Sequence, residues 1–127
     1  MENLLISASQ ETPKIEFSFS EGFLSIIGKS IPEDSITFYE PLMAALNEYI
    51  TKPNPLTKVD FKYEYFNTSS SKCILQVLQI LQKVKDKNCD VIINWFYDED
   101  DEEILESGQD YSKFINIPFN LKMIPNN

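Results

Sequence analysis

The feature that most constrains the fold is a strand-like, a helix-like and a second strand-like segment in direct succession. Residues 59–66 alternate apolar and polar side chains and are rich in aromatics, as expected of a strand with one buried face. Apolar residues then recur at helical spacing over 69–86, and a continuous apolar run follows at 90–97. Such a strand–helix–strand unit places its two strands parallel, with the helix packed on the sheet.

Further strands are predicted on both sides of this unit. Residues 14–20 alternate and residues 23–27 resume the alternation after a short turn, which predicts a β-hairpin. A short edge strand is expected within 119–124. The predicted fold class is therefore α/β: one domain spanning 1–127, with a mixed sheet of about five strands and two main helices.

The first of these helices is expected to follow the turn at residues 32–35, which supplies a helix cap. Pro41 disfavours a regular helix around it, so we expect the helix to start near Phe38 with the proline in its first turn. The apolar stripe of this helix is predicted from residues at offsets of three and four, namely Ile36, Tyr39, Met43, Leu46 and Ile50.

Composition excludes several classes of function. The net charge of -9 disfavours a nucleic-acid partner or an anionic membrane surface, because phosphate binding needs clustered cations. No apolar run is long enough to span a membrane, and no signal peptide is evident, so a cytoplasmic protein is expected. The chain contains no histidine, which removes the commonest general base and every Ser-His or Cys-His nucleophile. We therefore expect no enzymatic activity and no cofactor.

A run of small hydroxylated residues, Asn67-Thr68-Ser69-Ser70-Ser71-Lys72, lies at the corner between the strand and the helix. Two interpretations are open at this point. Thr68 or Ser69 can cap the helix, since Ser and Thr are preferred at that position. Alternatively, one hydroxyl is phosphorylated, because unpaired N–H groups and the helix dipole at a helix N-terminus favour negative charge.

The densest charge in the chain is the acidic segment from Asp98 to Asp110, which we expect to be a loop. It lacks the residue spacing of an EF-hand calcium site. If the strands at 59–66 and 91–97 are parallel neighbours, this loop and Thr68 leave the same carboxyl edge of the sheet. A partner contacting that face is then expected to carry Lys or Arg.

Four blocks, in order along nearly the whole chain, carry a resemblance to a known family. They are Ser30-Ile31-Pro32-Glu33, Phe38-Tyr39-Glu40-Pro41-Leu42, Tyr65-Phe66-Asn67-Thr68-Ser69-Ser70-Ser71-Lys72 and Trp95-Phe96-Tyr97-Asp98-Glu99-Asp100-Asp101. Together they resemble the SiaC-like regulatory phosphoprotein family. The third block is the most specific of the four.

The resemblance implies a fold similar to the STAS-type anti-sigma-factor antagonists, with a phosphorylatable hydroxyl at the start of a helix. It also implies partner switching: a cognate Ser/Thr kinase phosphorylates Thr68, a metal-dependent phosphatase of the SpoIIE type removes the phosphate, and the unmodified form binds an effector. In some members the effector is a diguanylate cyclase, which links the switch to cyclic-di-GMP and biofilm behaviour. The residues expected to take part in recognition are Asn67, Ser69, Ser70, Ser71, Lys72, Asp98, Asp100 and Asp101.

Two other functions remain to be separated from this one. A constitutive scaffold or interaction domain would use the hydroxyl run only to cap the helix. A small metal-dependent hydrolase would use Asp98, Asp100 and Asp101, but the missing histidine disfavours it.

Overall fold

A computed structural model describes residues 3–126 as one mixed sheet with helices packed against it. The strands and helices, in chain order, are β1 (Leu4–Ile6), β2 (Lys14–Ser18), β3 (Phe23–Ser30), α1 (Ser35–Tyr49), β4 (Leu56–Phe66), α2 (Thr68–Lys85), β5 (Asp90–Asp98), α3 (Glu102–Ser112) and β6 (Phe119–Ile124). The predicted α/β class is confirmed, with six strands and three helices in the described part of the chain.

The strands lie side by side in the order in which they occur in the chain. β1, β2 and β3 pair antiparallel, which confirms the predicted hairpin. β3, β4, β5 and β6 pair parallel, which confirms both the strand–helix–strand unit and the edge strand. Each parallel connection carries one helix, and right-handed crossovers in sequential order place all three helices on the same face of the sheet.

The hydrophobic core lies between this sheet face and the helices. Alternate residues of the strands, such as Phe61, Ile93 and Trp95, are fully buried there. The intervening side chains cover the opposite face, which no helix covers within the described residues. That face is mostly polar, with Asn94 donating to the Asp60 carboxylate at 3.0 Å and Lys62 lying 4.5 Å above the ring of Phe96.

Two elements were not predicted from the sequence. β1 has only three residues, too few for a recognisable alternation. The expected loop from Asp98 to Asp110 is wrong from Glu102 onward, because α3 begins there. Asp101 caps this helix by accepting the backbone N–H of Ile104 at 3.0 Å, and acidic side chains in a first helical turn interact favourably with the helix dipole.

The predicted start of α1 near Phe38 is also wrong. The helix begins at Ser35, after Asp34 caps it, and continues through Pro41. The proline has no N–H to donate to the carbonyl of Thr37. Because both residues are exposed, water can donate a hydrogen bond to that carbonyl instead. Ile36 was placed on the apolar stripe and instead is 77% exposed, whereas Tyr39 and Leu46 of the same stripe are buried.

No helix within residues 3–126 is long and apolar enough to cross a membrane.

Candidate functional site

The candidate site lies at the carboxyl edge of the parallel strands, where all three helices begin. Each helix is capped by an acidic or amide side chain, Asp34 for α1, Asn67 for α2 and Asp101 for α3. The cap of α1 is further held by the Thr37 hydroxyl, which donates to the Asp34 carboxylate at 2.7 Å and lowers its pKa. The free N–H groups of three helix N-termini therefore point toward one edge of the sheet.

The cap of α2 is not the residue that the sequence suggested. The side-chain oxygen of Asn67 accepts the backbone N–H of Ser70 at 2.9 Å and the Ser69 hydroxyl at 3.1 Å. Thr68 is instead the first residue of the helix. The capping interpretation of Thr68 and Ser69 is therefore wrong, and the Thr68 hydroxyl is not needed to start the helix.

Ser70 belongs to a buried network of hydroxyl groups beneath the helix start. Its hydroxyl lies 2.8 Å from that of Ser30 and donates to the Ser30 carbonyl at 3.0 Å. The Ser30 hydroxyl lies 2.6 Å from that of Tyr39, which lies 3.0 Å from that of Tyr63. Burial raises the pKa of both tyrosines, so they remain protonated donors. Because Ser70 is fully buried, the structure removes it from the residues that a partner could contact.

The remaining serines of the run are also occupied by hydrogen bonds within the chain. The Ser69 hydroxyl lies 2.7 Å from that of Ser35, at the start of α1. The Ser71 hydroxyl donates to the carbonyl of Thr68 at 2.6 Å, and the Ser71 carbonyl accepts the Tyr111 hydroxyl at 2.8 Å.

Thr68 differs from these three serines. Its side chain is exposed, and among residues 3–126 its hydroxyl forms no hydrogen bond. Lys72 lies four residues later, on the same face of α2, and is likewise exposed. It forms no ion pair within the described chain, where the three salt bridges involve other lysines. Thr68 is thus the hydroxyl of the run that an enzyme could reach without breaking existing bonds.

The acidic side chains gather at the same edge, one strand further along. Asp98, Asp100 and Asp101 line a surface depression together with Glu102, Glu103 and Asn126. The Asn126 side chain donates to the Asp100 carboxylate at 2.6 Å. No group of three or more His, Cys, Asp or Glu residues in the described part of the chain is arranged to hold a metal ion.

α3 connects this acidic edge to the hydroxyl run. The Trp95 indole donates to the Ile104 carbonyl at 2.8 Å, and the Tyr111 ring packs against Trp95 with centroids 5.5 Å apart. Gly108 allows the close approach, since a Cβ there would lie 2.5 Å from Cδ1 of Trp95. The packing of α3 on the sheet therefore positions the Tyr111 hydroxyl against the Ser71 carbonyl.

Sequence reasoning did not find the residues outside the run that form hydrogen bonds beneath the start of α2. Ser30 and Ser35 lie 40 and 34 residues from their partners in the run, and Tyr39 and Tyr63 join the network through Ser30. Isolated serines and tyrosines carry no periodic signal that would mark them. The only signal was that two of these residues fall in the blocks that carried the family resemblance, Ser30-Ile31-Pro32-Glu33 and Phe38-Tyr39-Glu40-Pro41-Leu42.

Comparison with known proteins shows the family of this chain. The model of a family described as SiaC family regulatory phosphoprotein matches residues 6–124, nearly the whole chain. The chain belongs to the SiaC family. A relative in Pseudomonas aeruginosa (strain UCBPP-PA14), described as an uncharacterized protein, is 27% identical over 119 residues, which cover 94% of each chain.

Solved structures of SiaC from Pseudomonas aeruginosa share the fold. The crystal structure of apo-SiaC superposes with a TM-score of 0.89 at 25% identity, covering 96% of this chain and 99% of that one. SiaC in the crystal structure of the diguanylate cyclase SiaD with its activator SiaC superposes with a TM-score of 0.88 at 25% identity, covering 95% and 99%. The predicted family is confirmed, whereas the likeness to STAS domains stays a prediction.

Proposed function

We propose that this SiaC-family chain is a non-enzymatic signalling switch, reversibly phosphorylated on Thr68, whose phosphorylation state decides whether it binds its effector. The observation that carries the proposal is the difference between Thr68 and the serines beside it. Ser69, Ser70 and Ser71 each have hydroxyl partners within the chain, and Thr68 is exposed and has none among the described residues. A kinase therefore meets one free hydroxyl in the run.

The surroundings of Thr68 can accept a phosphate without refolding. A phosphate adds about -1.5 to -2 charge near neutral pH. Thr68 is the first residue of α2, where the helix dipole and free N–H groups favour an anion. Lys72, one turn later and without an ion pair in the described chain, supplies a nearby cation. The modification thus changes the surface and leaves the fold intact.

The partners in this proposal are inferred from the family and from one solved complex of a relative. SiaC of Pseudomonas aeruginosa occurs in a crystal structure as the activator of the diguanylate cyclase SiaD. We infer that the effector of this chain is likewise a diguanylate cyclase, which connects the switch to cyclic-di-GMP and biofilm formation. A cognate Ser/Thr kinase would transfer the phosphate, and a metal-dependent phosphatase of the SpoIIE type would remove it.

The residues around Thr68 form the recognition surface in this proposal. Asn67 and Ser69 present the acceptor at the helix start, Ser71 is half-buried beside them, and Lys72 lies one turn along the exposed face. The exposed acidic residues Asp98 and Asp100, with the half-buried Asp101, extend the surface along the same edge. This surface would contact the kinase, the phosphatase and the effector in turn.

The direct test uses intact-mass spectrometry of the purified chain after incubation with its cognate kinase and ATP. We expect a gain of one phosphoryl group that is absent in Thr68→Ala and retained in Ser69→Ala. Binding to SiaD of Pseudomonas aeruginosa is then measured by isothermal titration calorimetry. Thr68→Glu should abolish binding, and the neutral control Thr68→Gln should retain more of it. Equal binding by the wild type and Thr68→Glu would favour a constitutive scaffold instead.

A further inference from the structure

The sheet ends in a strand whose outer edge is unpaired within residues 3–126. β6 is the last strand of the sheet and pairs with β5, whereas β1, at the other end, has just three residues. Both segments that flank β6 fold back over the molecule. Before it, the backbone N–H of Asn116 donates to the Gln82 side chain at 2.6 Å. After it, the backbone N–H of Asn126 donates to the Glu99 carboxylate at 3.1 Å. Neither segment therefore covers the outer edge.

The hydrogen bonds between β5 and β6 show which backbone groups of β6 point outward. At the start of this parallel ladder the Ile93 N–H donates to the Pro118 carbonyl at 3.0 Å. In a parallel ladder the bonded residues alternate, so the even-numbered residues of β6 direct their N–H and C=O groups to β5. The odd-numbered residues direct theirs away from the sheet. They are Phe119, Leu121 and Met123.

The side chains of β6 alternate between the two faces of the sheet. Leu121 and Met123 are 37% and 50% exposed and lie on the helix side, where Leu121 pairs in register with the buried Trp95. Asn120 and Lys122 lie on the helix-free side. Exposed apolar side chains in a strand with an open backbone edge are typical of a strand that pairs with another chain.

A second copy of β6 matches this edge in one register. In an antiparallel pair with its two-fold axis at Leu121, this residue pairs with its own copy, and Phe119 pairs with Met123 of the other chain. Every outward N–H and C=O of the strand then has a partner. An axis at Asn120 would place Met123 opposite a residue outside the strand. An axis at Lys122 would place two lysines opposite each other, which is unfavourable.

Side chains and charges are also complementary in this arrangement. The apolar residues on the helix side of one copy meet those of the other, and Lys122 meets Asn120. Antiparallel strands bring the opposite ends of two molecules together. The carboxyl end of β6 adjoins the acidic residues 98–103, whereas Lys113 and the basic last turn of α2 lie toward its amino end. The acidic end of each copy therefore faces lysines of the other.

We propose that this chain forms a homodimer by antiparallel pairing of its β6 strands, which joins the two sheets into one. Because each side chain meets its equals on the same face, the two-fold axis runs perpendicular to the sheet and the helices of both copies lie on one side. The carboxyl edges of the two copies then point in opposite directions, and Thr68 stays exposed in each. The dimer is thus independent of the phosphorylation state, and the inference does not rest on the proposed function.

The test is sedimentation velocity of the full chain from about 1 µM to about 500 µM. A contact along one short strand is small for a specific interface, so we expect a dimer with a Kd on the order of 10–100 µM. Met123→Pro removes an outward N–H and no bond to β5, so it should weaken dimerisation at least about tenfold. Met123→Leu keeps that N–H and an apolar side chain, and should dimerise like the wild type.

A charge at the same position gives a second variant with a matched control. Met123→Lys should also weaken dimerisation at least about tenfold, because the ammonium group would lie among apolar side chains. Leu5→Lys introduces the same charge at a residue of β1 that is 64% exposed, at the opposite edge of the sheet. It should stay within about twofold of the wild type. Circular dichroism of each variant confirms that it is folded.

Cysteine cross-linking tests the register. In a Cys89→Ser background, a mixture of Asn120→Cys and Lys122→Cys chains should form a disulfide-linked dimer on oxidation, because residues directly opposite have Cα atoms about 4.5 Å apart. Each variant alone should cross-link far less, since its own copy lies two residues along the strand. A monomer at every concentration would overturn the proposal, as would a dimer unaffected by Met123→Pro and Met123→Lys. Thr68→Glu should dimerise like the wild type, so failure of the dimer leaves the proposed function untouched.

Discussion

The side-chain oxygens of Ser35 and Ser69 lie 2.7 Å apart and join the first turn of α1 to the first turn of α2. Ser35 is buried and also lies 3.2 Å from the Ser70 hydroxyl, so one serine of α1 contacts two of the run. The start of α2 is therefore held by a neighbouring helix as well as by its own cap. A phosphate on Thr68 would meet a rigid surface and not a loop that could fold around it.

The first prediction concerns the buried hydroxyl of Ser70. Ser70→Ala removes a group bonded to both the hydroxyl and the carbonyl of Ser30, and leaves those buried groups with fewer partners. The free energy of unfolding should fall by about 1–3 kcal/mol, measured by urea denaturation. Thr68→Ala, at an exposed hydroxyl two residues earlier, should change the free energy of unfolding by less than about 0.5 kcal/mol. An equal decrease in the free energy of unfolding of the two variants would contradict the structural role of Ser70.

The second prediction concerns the cap of α2. Asn67→Ala removes the oxygen that accepts the Ser70 N–H and the Ser69 hydroxyl, so the free energy of unfolding should fall by about 1 kcal/mol. Asn67→Asp keeps an oxygen in the same place and should retain most of that stability. Urea denaturation of both variants at neutral pH checks the difference. A stable Asn67→Ala would mean that Thr68 or Ser69 can take over the cap.

Periodic patterns predicted the elements of the fold that bury a regular stripe. The alternation of β2 and β4 and the helical spacing of α2 each reflect one face against the core, and these elements lie where expected. α3 was missed because its exposed face is a run of carboxylates, which resembles a solvated loop. Of its buried residues, Ile104, Gly108 and Tyr111, only two have large side chains, and this pair, spaced by two turns, gives only a weak signal.

The candidate site was predictable in position and not in detail. A strand followed by a helix places Thr68 at a helix start whatever the tertiary structure. Which hydroxyl is free depends on Ser30 and Ser35, which reach Ser70 and Ser69 from other elements. These contacts are set by packing, and no local pattern encodes them.

The third prediction concerns the contact between α3 and the sheet. In Gly108→Ala the new Cβ would lie 2.5 Å from Cδ1 of Trp95 and 2.8 Å from Cδ2 of Leu121, so the helix must move outward. The free energy of unfolding should fall by at least about 1 kcal/mol, and the fluorescence of Trp95 should change. Gln109→Ala, on the exposed side of the same helix, is the control and should leave both unchanged. Wild-type stability in Gly108→Ala would show that α3 packs more loosely than described.

The last prediction concerns stability at alkaline pH. Burial raises the pKa of Tyr63 well above its ordinary value of 10.0, and the neighbouring Tyr39 adds to the shift. The folded chain thus holds the tyrosine proton more tightly than the unfolded chain. The contribution of the buried tyrosines to stability is fully present below about pH 10. It is lost as the pH rises above that value, because tyrosines ionise first in the unfolded state. Burial raises the pKa of Tyr39 and Tyr111 as well, so all three act in the same direction.

Urea denaturation at a series of pH values from neutral upward measures this effect. The free energy of unfolding should be nearly constant below about pH 10 and then fall steeply. Tyr63→Phe removes one of the contributing groups, so its stability should fall less steeply over the same interval, even if it is lower at neutral pH. Tyr65→Phe, at an exposed tyrosine of the same strand, should keep the wild-type slope. An unchanged slope in Tyr63→Phe would mean that the Tyr63 hydroxyl is not held protonated by the buried network.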